Sequence, residues 1–499
     1  MSKITDLSKS RYCKGVQCPK ILWLEHYKPE EKADILPESV LENGNRVGDL
    51  ARRYFGDYSL VEFSFDKSAM TAQTALFIAS GSENVAEASF LTDDWLYCAV
   101  DILHKNEDGW DIVEVKSSTE VSDIYIEDMA FQYYVLTQCG VNVKRVYNIH
   151  INNKYVRRGE LDLKGLFRLE DYTVKVTEKQ SEVAENIERI RSYISVDVEP
   201  ARDIDVYCEK PYECAFKGYC GRHLPEHSIF DLAGIQARTA YKRYHSGIVS
   251  FEDVLANAKE IKLSDKHRRQ IEFTLNDLPD EVNAEKIRAF LDTLTYPVYH
   301  LDFETYQQAI PEFDGVSPYQ QIPFQYSLHI EQEDGTLEHR EFLAKEGTDP
   351  RRAIAEQLVS DIPVGVCSLA FNMSFEKTVI KNLAELFPDL SERLLDIREN
   401  MHDLMIPFKD HDYYSKAMMG SYSIKYVLPA LYPDDPELEY HNLDGVHNGS
   451  EASEAFAAMA QHSPEEIAVI RQNLLKYCGL DTYAMVKVLR KLKEAAGQT

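Results

Sequence analysis

Two carboxylates two residues apart in an apolar stretch, Asp302 and Glu304 of "VYHLDFETY", could do metal chemistry. Alternate strand residues share a face, so His300, Asp302 and Glu304 point one way while Tyr299, Leu301 and Phe303 point the other. A sheet interior rejects two unpaired carboxylates because buried charge is costly, and a metal ion offsets that cost. Far along the chain, Tyr477 and Asp481 in "LLKYCGLDTYAMVKVL" stand four apart on a helical pattern and face the same side. A second set lies in "WLYCAVDILHKNEDGWDIVEVKSS", where two β-rich runs, 95 to 103 and 110 to 116, flank the turn "KNEDG". This hairpin would bring Asp101, Glu114 and Lys116 to one end of a sheet, with Ile112, Glu114 and Lys116 on one face and Val113 and Val115 in the core. Carboxylates that hold Mg²⁺ or Mn²⁺, beside a lysine that offsets developing charge, are what phosphodiester hydrolysis needs. The bare triplet equally describes a solvated polar strand face.

A third group is "YCEKPYECAFKGYC", which spaces Cys208, Cys214 and Cys220 evenly. Cytosolic thiols are kept reduced and the cysteine count, nine, is odd, so a disulfide framework is not expected. Zinc knuckles pair cysteines two to four apart, a closer spacing than here, which leaves structural Zn²⁺ and an iron–sulfur site both open.

The elements that must position these residues fall into three stretches. Residues 1–225 mix helices with the hairpin and a helix through "IEDMAFQYYVLTQCG" that carries Gln132. Residues 226–292 look like short helices forming a linker, and "YKRYHSGIVSFEDV" within it resembles a helix-hairpin-helix edge able to hold a DNA phosphate. From 293 to 499 a new α/β pattern begins, with strands at "PVYHLDFETY", "QIPFQYSLHI" and "VGVCSLAFN" and helices at 374–386 and 464–495. The net charge of −28 argues against broad adsorption to nucleic acid or anionic membrane, though not against a local basic groove. No apolar stretch reaches membrane-span length and the start lacks a signal-peptide pattern, so a cytoplasmic protein is expected.

The order Asp101, then Glu-x-Lys across a hairpin, then a helix with Gln132 and Tyr133, resembles the restriction-endonuclease-like PD-(D/E)xK core, in its Cas4/RecB-like branch. That branch often carries a [4Fe–4S] cluster on one early and three late cysteines. The resemblance implies Cys18 of "QCPKILWL" with Cys208, Cys214 and Cys220 as the ligands, a clasp between the first helix and the segment after the core. Cys13, Cys98, Cys139, Cys367 and Cys478 are then ordinary buried thiols. The usual early histidine is missing from "ENGNRVGDLARRYF", and Asp49 or Glu87 is the candidate replacement.

Asp-x-Glu in an early strand, an Asn-x-x-Phe helix start in "FNMSFEKTVIKNL" and Tyr-x-x-x-Asp in the last helix resemble the DEDD exonucleases of the RNase H-like fold. The resemblance implies Asp302, Glu304, Glu376 and Asp481 as ligands of two metal ions and Tyr477 as the residue that orients the attacking water. Glu376 stands where that family has Asp, and Asp403 of "MHDLMIPF" is the alternative fourth ligand. Nearly the whole chain, from "SKSRYCKGVQCPKILWL" through "EVKSS" to "GSYSIKYVLPAL", resembles a bacterial family carrying a DUF2779 domain. Together these resemblances imply a metal-dependent nuclease acting on DNA, or on RNA. The alternative is a nucleic-acid-binding or regulatory protein that keeps both folds without efficient chemistry.

Overall fold

The computed structural model describes residues 6–34 and 38–498, with side chains from residue 44 onward in the second of these spans. It is a mixed α/β chain that divides into two compact units: Met1–Leu224 with Gln308–Gln320, and Pro225–Gln307 with Gln321–Thr499. The stretch 226–292, read from sequence as a separate linker, falls in the second unit. It nonetheless has an apolar centre of its own, built from Ile229, Leu232, Phe251, Val254 and Ile271.

The first unit is built on a mixed sheet of β1 (Leu7–Ser8), β2 (Ser59–Leu60), β3 (Asn84–Leu91), β4 (Leu96–Asn106), β5 (Gly109–Lys116), β6 (Val143–Ile151) and β7 (Phe167–Asp171). Its order is β2-β3-β4-β5-β6-β7, and β1 also pairs with β4. The expected hairpin forms with Glu107 and Asp108 at its tip, because β4 and β5 run antiparallel from Asn106↔Gly109 to Ile102↔Val113. There β4 changes partner, and its other end pairs in parallel with β1 at Leu96 and Tyr97. Asp101 sits at this fork.

Both faces of the sheet are covered, which corrects the expectation that only Val113 and Val115 turn into the core. Ile112 packs with Met129, Phe131 and Val135 of the Asp123–Gln138 helix, while Val113 and Val115 pack with Ile149, Leu166 and Ala309 on the other face. Glu114 therefore lies at a helix–sheet interface and is 1 % exposed, not on a solvated strand face.

In the second unit, β8 (Glu281–Val282) pairs with β14 (Tyr413–Tyr414) as a short ribbon. The main sheet has the order β11-β10-β9-β12-β13, from β9 (Val298–Tyr306), β10 (Ile322–Glu331), β11 (Leu337–Leu343), β12 (Cys367–Ala370) and β13 (Met401–Asp403). The first three are antiparallel neighbours; β12 and β13 join in parallel. Tyr299, Leu301 and Phe303 share one face with Tyr326, Leu328 and Ile330, against Ile354, Leu358 and Ile380 from the covering helices. The opposite face is polar and lies under the C-terminal helix Pro464–Ala495. Here Gln325 donates to the Leu474 carbonyl, and Ser327 meets Thr482 at 2.6 Å. Asp302 and Glu304 are on this face, opposite Ser327 and Gln325 in the register. No helix among the described residues is long and apolar enough to cross a membrane.

Candidate functional site

The fork in the first sheet decides where Asp101 points. β4 has no ladder partner on β5 at this residue, and the Asp101 carboxylate takes over that role by accepting the Val115 N–H at 2.6 Å. Glu114 accepts from Lys116 at 2.6 Å, from Gln132 at 2.6 Å and from Lys9 at 3.0 Å. Asp128, one helical turn before Gln132, accepts from Lys116 at 2.9 Å and from Gln132 at 3.0 Å. The structure thus brings Asp101, Glu114, Lys116 and Gln132 together, and adds Lys9 and Asp128. Burial alone would raise the Glu114 carboxyl, but Lys116 and Lys9 outweigh it and hold it well below the usual carboxylate range. Burial, then the nearby Glu114 charge, pushes Asp101 up to about 7. Gln132 turns its Nε2 to these carboxylates, and its buried Oε1 has no hydrogen-bond partner.

Of the two candidates to replace the histidine, Glu87 is close enough for its charge to act on Asp101, and both are held by Arg52. Arg52 donates to Asp49 at 2.6 Å and to Glu87 at 2.8 Å, tying both to one guanidinium. Glu87, at a positive φ of 56°, stands opposite Asp101 in the β3–β4 register, where the pairing is interrupted without a shift.

Cys18, Cys208, Cys214 and Cys220 line a single pocket with Arg202, Lys20 and Lys217 at its edge. The backbone brings them together: Cys18 ends the helix Lys9–Gln17, and Gln17 donates to the carbonyls of Tyr207 and Tyr212, both at 2.8 Å. Burial raises the thiols of Cys208 and Cys214 to about 12 and about 11, so these groups are protonated unless something replaces the proton. Among the described residues, Asp302, Glu304 and Cys478 offer ligating atoms that all lie within 4.8 Å of one another. Of the remaining cysteines, Cys98, Cys367 and Cys478 are buried as expected. Cys139 is exposed at the end of its helix and Cys13 only partly covered, a correction to the expectation for both.

In the second unit Asp302 and Glu304 converge with Asp481 and Glu376. Burial, then Asp481 and Glu376, drives the Asp302 and Glu304 carboxyls well above their ordinary range. Burial pushes Glu376 up to about 8 and Asp481 to about 6. Glu376 enters from the first turn of the Ser374–Leu386 helix, and its buried Oε2 has no hydrogen-bond partner. Asp481 accepts from Tyr440 at 2.6 Å and has Tyr477 as a second hydroxyl partner. Burial and the facing acids push the Tyr477 hydroxyl far up, so it stays a donor. Asp403 is differently employed: its Oδ1 accepts the N–H groups of Asn372 at 2.9 Å and Met405 at 3.0 Å, which ties down the turn that leads to Glu376. A Cβ on Gly449 would lie 3.7 Å from Glu304 Oε2, an ordinary contact distance, which places Gly449 beside that carboxylate.

Residues 299–423 match DUF2779, a domain of unknown function. The matched span holds Asp302, Glu304, Glu376 and Asp403, and leaves Tyr440, Tyr477 and Asp481 beyond its end. It is much shorter than the nearly full-length resemblance expected from the sequence. No curated protein matches the chain.

The DUF2779 segment also contains Lys425's neighbours in "GSYSIK", and Lys425 is the cation that acts on Asp481. Sequence reasoning missed Lys9, Asp128, Tyr440, Lys425 and Gly449. Asp128 had a usable signal, since it precedes Gln132 by four residues on one helical face. Tyr440 had none, because "DDPELEYHNL" carries no periodic pattern.

Proposed function

We propose that this chain is a metal-dependent nuclease that hydrolyses phosphodiester bonds, with DNA favoured over RNA. In this reading the first unit is a PD-(D/E)xK domain with an iron–sulfur cluster, and the second holds an RNase H-like, DEDD-type exonuclease site. The observation that carries the reading is the group of four acids, Asp302, Glu304, Glu376 and Asp481, two of them buried and Asp302 and Asp481 half-buried, converging with their carboxyls driven upward. Such a cluster is stable only with protons or cations among its oxygens, and the unpartnered Glu376 Oε2 fits an oxygen-seeking divalent ion. Mg²⁺ or Mn²⁺ bound there, and at Asp101 and Glu114, would polarise a phosphate and make water a better nucleophile. Tyr477 holds its proton and points the hydroxyl into the acid cluster, where it can orient a water. Lys116 stays charged beside Glu114 and offsets negative charge on a phosphate.

The cysteine pocket supports a [4Fe–4S] cluster over Zn²⁺. A zinc ion about 2.3 Å from each of four sulfurs would bring them to within about 3.8 Å of one another. A cluster gives each thiolate its own iron and spaces them more widely, in keeping with the five residues between successive cysteines of "YCEKPYECAFKGYC" and with Cys18 far upstream.

Purified protein with Mg²⁺ or Mn²⁺ should shorten end-labelled single- or double-stranded DNA. Asp302→Ala or Asp101→Ala should lower whichever activity belongs to that unit by at least about a hundredfold. Binding without cleavage would favour the regulatory alternative, and wild-type cleavage by both variants would remove these residues from the chemistry.

A further inference from the structure

Lys9 is in an unfavourable place for a lysine. It is the first residue of the Lys9–Gln17 helix, and a cation in the first turn opposes the helix dipole; the helix has no acidic residue there to compensate. What holds it is the carboxylate group of the first unit. Its ammonium is 3.0 Å and 3.1 Å from the two Glu114 oxygens, 3.6 Å from Asp128 and 3.9 Å from Asp101. Its position follows from the sheet fork: β1 pairs with the end of β4 beyond Asp101, and the chain turns into the helix one residue later. Lys9 thus reaches the same three carboxylates that Lys116 approaches from β5.

Charge decides between the two lysines. Asp101, Glu114 and Asp128 ionised bring three negative charges, and Lys9 and Lys116 bring two positive ones. A divalent ion added to both lysines overcharges the group, whereas a divalent ion with one lysine balances it. Lys116 bonds both Glu114 and Asp128 from within the strand, while Lys9 hangs from a helix terminus; the two side chains are equally exposed, 22 % and 21 %, so it is the anchoring element that separates them. We infer that Lys9 is an exchangeable counter-ion of the first site: it occupies the carboxylate group in the metal-free protein and is displaced when a divalent cation enters. Lys9 is a positioning residue, and this role rests on the nuclease reading of Asp101 and Glu114.

The test is Mn²⁺ binding, read from the electron paramagnetic resonance of free Mn²⁺, on the full chain with Asp302→Asn and Glu304→Gln to silence the second unit. In that background Lys9→Met should bind Mn²⁺ at least about tenfold more tightly than Lys9, and Lys9→Arg should stay within about threefold of it, since the removed charge lies next to the ligands. Asp101→Asn added to either should abolish the binding. Equal or weaker binding by Lys9→Met, with Asp101-dependent binding intact, would overturn the counter-ion role and leave the nuclease reading standing. If no variant binds Mn²⁺ in an Asp101-dependent way, both fail. Should Lys9→Met melt at a much lower temperature, Lys9→Gln takes its place with the same expected tightening.

Discussion

The two acidic groups solve the same electrostatic problem in opposite ways. In the first unit each carboxylate has a protein partner: Lys9 and Lys116 flank Glu114 and Asp128, and the Val115 N–H caps Asp101. In the second unit Asp302, Glu304 and Glu376 face one another, and the partners belong to Asp481, which has Tyr440, Tyr477 and the more distant Lys425. One site comes within a single charge of balance in the metal-free protein. The other is held in deficit, and in the proposed reading divalent ions remove that deficit. A buried acid that already has its lysine gives up something to bind a metal, whereas one without gains.

Removing a charge should therefore have opposite signs in the two units. Glu114→Gln leaves two lysine ammonium groups facing a neutral amide and should destabilise the chain by about 3 kcal/mol, the usual cost of breaking a buried ion pair. Asp302→Asn removes one of several repelling charges and should raise metal-free stability near pH 8 by about 1–2 kcal/mol, while abolishing the stabilisation that Mg²⁺ gives the wild type. Urea titrations with EDTA and with Mg²⁺ measure both. A destabilising Asp302→Asn under EDTA would mean that the second cluster is already balanced by groups within the protein.

The next effect is in the pH dependence. In the second unit the folded carboxyls titrate above their unfolded values, so between about pH 4 and pH 8 the folded state binds more protons than the unfolded one. Stability then falls as pH rises through that window. Asp101 of the first unit, pushed up to about 7, adds to this slope, whereas Glu114 has the reverse sign: its folded value is lowered, so its contribution is present above about pH 4.3 and lost as pH falls below it. Melting curves from pH 5 to pH 8 in EDTA should show the midpoint dropping toward pH 8 for wild type, less steeply for Asp302→Asn. Mg²⁺ should flatten the slope, because it binds the ionised acids and so offsets the loss of stability as they deprotonate. A midpoint that climbs toward pH 8 in EDTA would contradict the deficit in the second unit.

What could be read from the sequence was local and periodic. The strand bearing Asp302 and Glu304, the helix bearing Tyr477 and Asp481 and the β4–β5 hairpin all have the alternation or the four-residue spacing that fixes which side chains share a face. The balance of charge was not legible, because it depends on contacts between segments far apart in the chain. Lys9 reaches Glu114 only because β1 joins the end of β4, and Tyr440 reaches Asp481 across a connection without regular pattern. The burial of Glu114 was misjudged for the same reason. A two-residue period says which face a side chain is on, but not whether a helix covers it.

Tyr440→Phe gives the smallest effect and the finest test of the contrast. The hydroxyl donates to Asp481 at 2.6 Å, and a hydrogen bond to a carboxylate favours its ionised form. Without it, burial acts on Asp481 with less opposition, and the carboxyl should titrate above the value of about 6 it has now. The pH at which Mn²⁺ binding to the second unit reaches half its maximum should therefore rise by about one unit, equivalent to about 1.4 kcal/mol, with the plateau at high pH nearly unchanged. Mn²⁺ titrations across pH on a Glu114→Gln background isolate this site. A lowered plateau with a fixed midpoint would make Tyr440 a packing residue, and Tyr477 would then be the only tyrosine hydroxyl acting on Asp481.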